Sequence, residues 1–322
     1  MFKNMGKYDN NQKCVLSMSI ANTTCIRGVA ILAVILHHYS QYYAVPLCLF
    51  RILDHFGYLA VGTFLFLSGY GNFVSYNKKP MNKKDTWVWG IKRVLGVAIS
   101  FVIIYLLSYL FIRFWVPSLE YSFSWKDILT LTLPTWTNWY LKVQIGLYIL
   151  FTVLALIIPK DRIRLIIFLM LVCIYVFLGR RFGLANFWWN SILCYPMGMF
   201  VAKYKNVIDN LKTKIWIALA CFVLFFIFTY LKQMNNLFGI CACICFVTVV
   251  YFINEKRPLQ GKIFAYFGKY SLEIYMVHLV VMRVLLAYAV NMYVALLLII
   301  VISISISIGI NKLSAISMKM VL

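Results

Sequence analysis

Residues 27–40 read RGVAILAVILHHYS, an apolar run entered at an arginine and left through two adjacent histidines. Carried on to residue 48, the stretch has the length of one membrane span, roughly 20 residues. The rest of the chain repeats the pattern. Of its 322 residues 63% are hydrophobic and 12% charged, against about 45–50% and 25% in a soluble domain. No aqueous fold needs that much apolar sequence, so the solvent for most of the surface is lipid. Further apolar segments fall near 56–76, 94–114, 136–158, 165–180, 186–202, 215–231, 237–254, 271–290 and 293–310. The expected fold class is an all-α integral membrane protein with about ten transmembrane helices.

The net charge of +22 would suggest a nucleic-acid partner in a soluble protein. Here its distribution matters more. With the N-terminus placed inside, the inner segments collect Lys3, Lys7, Lys13, Lys78, Lys79, Lys83, Lys84, Lys92, Arg93, Lys160, Arg162, Arg164, Lys203, Lys205, Lys212, Lys214, Lys256, Arg257, Lys262 and Lys312. The outer loops keep Arg51, Arg113, Lys126, Arg180, Arg181 and Lys232. That bias sets cytoplasmic N- and C-termini by the positive-inside rule, with some attraction to anionic lipid heads, and it argues against nucleic acid. Residues 1–25 read as a cytoplasmic tail, 26–312 as one ten-helix membrane domain and 313–322 as a short cytoplasmic tail. The stretch VISISISIGI (301–310) alternates with the period of a strand, but a lone strand in lipid leaves its backbone unpaired, so a helix is required. Ser303, Ser305 and Ser307 are expected to bond back to carbonyls one turn earlier. The cysteines fall mostly in spans, and CACIC (241–245) lacks zinc-site spacing, so they read as small hydrophobes and no metal is expected.

Ionisable groups at bilayer depth cost several kcal/mol and are functional candidates by default. Eleven residues separate Arg27 from His38, about 20° on a helical wheel and roughly 16 Å of rise. One face therefore carries an anion-binding fork and, about three turns deeper, a general base. His37 lies about 80° from Arg27 on the same wheel, and replacing it with Phe is expected to be tolerated. On the ninth segment Ser271, Tyr275, His278 and Met282 share a face, while Glu273 lies opposite, where a first-turn carboxylate suits the helix dipole. Asn138, Trp139, Tyr140, Lys142 and Gln144 open the fourth span. Arg180 and Arg181 sit at the outer end of the fifth, where an acidic glycan could be held.

The opening stretch resembles the first-helix signature of the membrane acyltransferase-3 family, which includes bacterial surface-glycan O-acetyltransferases. Arg27, Ala30 and His38 fill its fixed places, which selects His38 over His37. FLFLSGYG (64–71) is similar to the second-helix segment, TNWYLKVQIGLY (137–148) to the fourth, WWNSILCYPMGMFVAKYK (188–205) to a segment of shorter members, and GKYSLEIYMVH (268–278) to the late Ser-Leu-x-Ile-Tyr-x-x-His segment. The matches keep the family's order from about residue 22 to 290. Two places depart from it: Gly62 stands where many relatives carry an acidic residue, and Gly96 where a second arginine often follows Arg93.

The resemblance implies an integral-membrane O-acyltransferase that moves an acyl group, acetyl above all, from acyl-CoA to a hydroxyl of a surface polysaccharide or its lipid-linked precursor. Acetyl-CoA is then a co-substrate, with no permanently bound cofactor, in a multi-pass protein of the bacterial cytoplasmic membrane. His38 would be the general base, Arg27 with Lys92 and Arg93 would meet the phosphates of the donor, and His278, Tyr275, Trp139, Tyr140 and Ser68 would line the cavity or meet the acceptor. The competing reading from another class is a multi-pass transporter or flippase for a lipid-linked sugar or small solute. Such proteins often show two repeated halves with broken helices, and this sequence shows no such symmetry.

Overall fold

A computed structural model describes residues 18–43, 45–78, 80–119, 121–133 and 139–321. The expectations for residues 1–17, Lys79 and Asn138 lie outside them. Among the described residues the chain is helical, with no strand. The helices are α1 (Ile20–Tyr42), α2 (Leu47–Leu53), α3 (Phe56–Tyr76), α4 (Lys83–Trp115), α5 (Trp125–Leu129), α6 (Trp139–Ile157), α7 (Asp161–Arg181), α8 (Cys194–Lys203), α9 (Lys205–Asp209), α10 (Lys214–Leu231), α11 (Leu237–Lys256), α12 (Lys262–Lys269), α13 (Ser271–Ala287) and α14 (Met292–Val321).

Seven of the described helices are long and apolar enough to cross a membrane, eight if α12 and α13, broken at Tyr270, count as one span. The sequence offers about ten apolar segments, and two account for the difference. α3, though 21 residues long, is not among the seven, its Ser-Gly-Tyr-Gly-Asn run at 68–72 interrupting the apolar sequence. Residues 186–202, read as a span, instead form a turn and the ten-residue α8, about 15 Å of helix against a bilayer core of about 30 Å. The alternation at 301–310 is helical, as lipid requires. Residues 313–321, read as a tail, continue α14, and 83–93, read as loop, are the first turns of α4, capped by Asn82 accepting from the Asp85 amide.

The chain divides into two compact units. The first holds residues up to Ala30, Tyr58–Lys79 and Leu165–Lys269. Ser19 caps α1 by accepting from the Asn22 amide, while Asn22 Oδ1 accepts from the Met18 amide, a reciprocal arrangement that satisfies donors at the helix start. Asn22 and Asn254 exchange two side-chain hydrogen bonds of 2.7 and 2.8 Å, and Asn22 also donates to the Leu259 carbonyl. Just beyond, α12 lies backbone to backbone on α1: a Cβ at Gly28 would strike the Phe264 carbonyl, and one at Gly268 the Thr24 carbonyl. Gly69 and Gly198 make a second such crossing, of α3 with α8, at the carbonyls of Tyr195 and Phe66. The glycine of the Ser-Gly motif thus serves close helix packing. α10 packs on α11, yet none of its residues is buried and its exposed set includes Trp216, Leu219, Phe222, Phe226 and Tyr230. A helix apolar all round and open on its outer faces is solvated by lipid.

The second unit holds Ile31–Gly57, Pro80–Arg164 and Tyr270–Leu322. Its axis is α4, which packs against α6, α13 and α14. Polar side chains pin these helices: Ser100 donates to Ser314 at 2.9 Å and Asn311 donates to Glu273 at 2.9 Å. Glu273 is therefore buried and bonded to α14, a structural role. The Tyr39 hydroxyl donates to the Met292 carbonyl, joining the second half of α1 to the start of α14. Arg164, counted above among the topological charges, is buried, paired with Asp161 and laid over the Phe151 ring. Of the three serines expected to bond back along α14, Ser305 does so, to Val301. Ser303 and Ser307 are fully buried, and their hydroxyls have no partner among the described residues.

Candidate functional site

The second unit brings five of the predicted site residues together. The rings of His38 and His278 lie 5.3 Å apart between centroids. Tyr275 stands 6.0 Å from His278, Tyr140 stands 5.0 Å from Tyr275, and Trp139 is 6.3 Å from Tyr140. Three elements that are distant in the chain, α1, α13 and α6, supply this row of rings. Packing places it: α13 is buried on almost every side, so Tyr275 and His278 have no freedom to leave.

The two imidazoles differ in surroundings. His278 is fully buried; its Nδ1 lies 2.9 Å from the Ile274 carbonyl one turn earlier. A carbonyl only accepts, so Nδ1 carries the hydrogen and Nε2 is an acceptor. That Nε2 is buried without a partner among the described residues, a position that costs free energy unless something visits it. His38 is half-buried, with its Nδ1 3.1 Å from Gln41 Oε1. Gln41 in turn places its amide nitrogen 3.2 Å from His37 Nε2. His37 therefore does not point away into a separate environment, as the wheel suggests; its ring lies 4.9 Å from that of His38. Gln41 was missed by the sequence reading. Its signal is the spacing HHYSQ, which sets Gln41 at i+4 from His37 and i+3 from His38 on one helix.

Gln144, one turn beyond Tyr140 on the same face of α6, is 2% exposed, and neither end of its amide has a partner among the described residues. Of the basic residues, Lys92 is exposed on α4 and Arg93 is half-buried, its guanidinium 5.4 Å from the centre of the Trp89 ring. Gly96 faces open space, so the missing second arginine leaves a vacancy that a side chain could fill.

Arg27 and Ser68 belong to the first unit, both half-buried. Arg27 has no hydrogen-bond or ion-pair partner among the described residues. At Gly62, the first of the two departures noted in the sequence, a Cβ would collide with Cys243 Sγ, so this chain has no room for a larger side chain there. The first unit also holds a cavity of about 430 Å³ lined by Cys173, Val176, Phe177, Arg180, Arg181 and Leu237, an apolar wall with both arginines of the end of α7.

Long apolar helices, with a row of histidines and tyrosines packed in the second unit, define a multi-pass membrane protein. The chain belongs to the acyltransferase-3 family: the family model, described as an acyltransferase domain, matches residues 20–312. The protein is an acyltransferase. Neither the curated proteins nor the solved structures compared with it give a match.

Proposed function

We propose that this acyltransferase moves an acetyl group from acetyl-CoA, on the cytoplasmic side of a bacterial plasma membrane, to a hydroxyl of a surface polysaccharide or its lipid-linked precursor. The observation that carries the reading is the pair His38 and His278, 5.3 Å apart, with an acceptor nitrogen at His278 that has no partner among the described residues. A sugar hydroxyl is a poor nucleophile until a base takes its proton, and neutral imidazole is suited to that near pH 7. In the proposed step the acceptor oxygen loses its proton to His38 Nε2 and attacks the thioester carbonyl. The C–S bond then breaks, and the coenzyme A thiolate takes the proton back from the imidazolium. His278 Nε2 accepts a second hydroxyl hydrogen and so holds the sugar in register.

Arg27 supports the donor side. A half-buried guanidinium without a partner among the described residues fits a phosphate better than it fits a bare interior, and Lys92 and Arg93 add cations. Tyr275, Trp139 and Tyr140 complete the acceptor lining of the second unit in this reading; in the first unit Ser68 remains a proposed acceptor contact, and the two arginines of the 430 Å³ cavity suit an acidic saccharide. The bias of Lys and Arg supports the placement of both termini inside. The test is ester-linked acetyl on the surface glycan of the host, compared between the wild-type chain and His38→Ala at equal membrane abundance. Loss of the ester is expected; an unchanged acetyl content removes His38 from the chemistry.

A further inference from the structure

We propose that Gln41 and His37 are positioning residues that fix the tautomer and direction of the His38 ring, with the Leu53 carbonyl as the fixed end of the chain. The inference rests on the reading of His38 as the base, and it reverses the expectation that His37 is a bystander.

The polarity of the chain follows from what each atom can do. His37 Nδ1 lies 3.3 Å from the Leu53 carbonyl, which only accepts, so Nδ1 carries the hydrogen of the neutral ring and Nε2 is an acceptor. Asp54 Oδ1, 4.0 Å from the same Nδ1, favours the same placement. An acceptor at His37 Nε2 requires the NH2 end of the Gln41 amide, and that end is there at 3.2 Å. The carbonyl end of Gln41 must then face His38 Nδ1, at 3.1 Å. His38 consequently carries its hydrogen on Nδ1, and the lone pair remains on Nε2, the nitrogen left to take a proton. The opposite amide orientation would offer N–H to Nδ1, move the ring hydrogen to Nε2 and abolish the base. Orienting a catalytic imidazole through its other nitrogen is a general requirement.

The far end of the chain is held by packing. A Cβ at Gly57, in the first turn of α3, would press on Cδ2 and Nε2 of His37, so the ring packs closely against the backbone there. Gln41 itself is exposed. No burial of its own keeps its amide from turning over; the His37 acceptor does that.

The chain carries four histidines, few enough to resolve individually. The full-length protein, labelled with 15N in its histidine rings and placed in lipid nanodiscs, reports which ring nitrogen carries hydrogen; single-histidine variants assign the signals. His38 is expected in the Nδ1–H form in the wild type and substantially in the Nε2–H form in both Gln41→Leu and His37→Phe. In membranes given radiolabelled acetyl-CoA, Gln41→Leu is expected to lower kcat for alkali-labile incorporation roughly 10- to 100-fold, within what a positioned base supplies, and to leave KM for acetyl-CoA unchanged. A carboxylate has no wrong end, so adding Gln41→Glu to His37→Phe is expected to restore both the Nδ1–H signal and the rate. His38 remaining Nδ1–H in both single variants overturns the inference, as does failure of the Glu rescue. If the tautomers move as expected while His38→Ala still transfers acetyl, positioning stands and the base reading falls.

Discussion

His278 shows how a single residue can be costly and kept. Its Nδ1 is bonded within its own helix while Nε2 is buried without a partner among the described residues, an arrangement worth roughly 1–3 kcal/mol of lost stability. Leucine has nearly the same volume and no polar atoms, and replacing buried polar groups by apolar ones of similar shape is close to neutral or stabilising. His278→Leu is therefore expected to keep or raise the thermal unfolding midpoint of the purified protein while lowering ester-linked acetyl on the glycan. Retained acetyl at a raised midpoint would leave Nε2 with no part in transfer. At this scale the sequence shows charged and titratable groups well, because an ionisable residue in an apolar run is conspicuous. It hides Gln41, which carries no charge. Its importance comes from the two histidines beside it.

Among the elements, glycines decide where helices can touch. A Cβ at Gly28 meets the Phe264 carbonyl, whereas one at Gly71 meets nothing within 4 Å. Gly28→Ala is expected to destabilise by at least the 1–3 kcal/mol or so of an overpacked site, seen as reduced membrane yield and a lower unfolding midpoint. Gly71→Ala should hold both, since alanine favours a helix by about 0.5–1 kcal/mol. Helix positions were legible from hydropathy along most of the chain. The exception, 186–202, is apolar enough from Ile192 onward to read as a span, but Ser191 donates its hydroxyl to the Tyr58 carbonyl and, with Asn190, forms a buried turn. Composition cannot separate such a turn from a span, because its polar atoms are satisfied by a helix more than a hundred residues away.

At the scale of the whole molecule, charge and apolar surface divide the work. Exposed Ile, Leu, Phe and Trp side chains on α7, α10 and α14 give the faces that lipid covers, and the excess of Lys and Arg sets direction. A fluorescent protein fused at the C-terminus is expected to glow, and a phosphatase active only outside the cytoplasm is expected to be silent there. The reverse pattern would overturn the inside placement of the termini and, with it, cytoplasmic access for the donor.

The reciprocal amide pair of Asn22 and Asn254 has a consequence for biogenesis. The two residues are 232 positions apart, and the backbone seat of α1 on α12 lies later still, at Phe264 and Gly268. α1 therefore waits in the bilayer, its Asn22 amide open, until the more than two hundred residues that follow it have been made. Loop closure over such a distance is slow to be rewarded. A chain halted before residue 254 would expose Asn22 to whatever membrane quality control inspects, so the opening turns of α1 mark the point at which an unfinished molecule becomes distinguishable from a finished one.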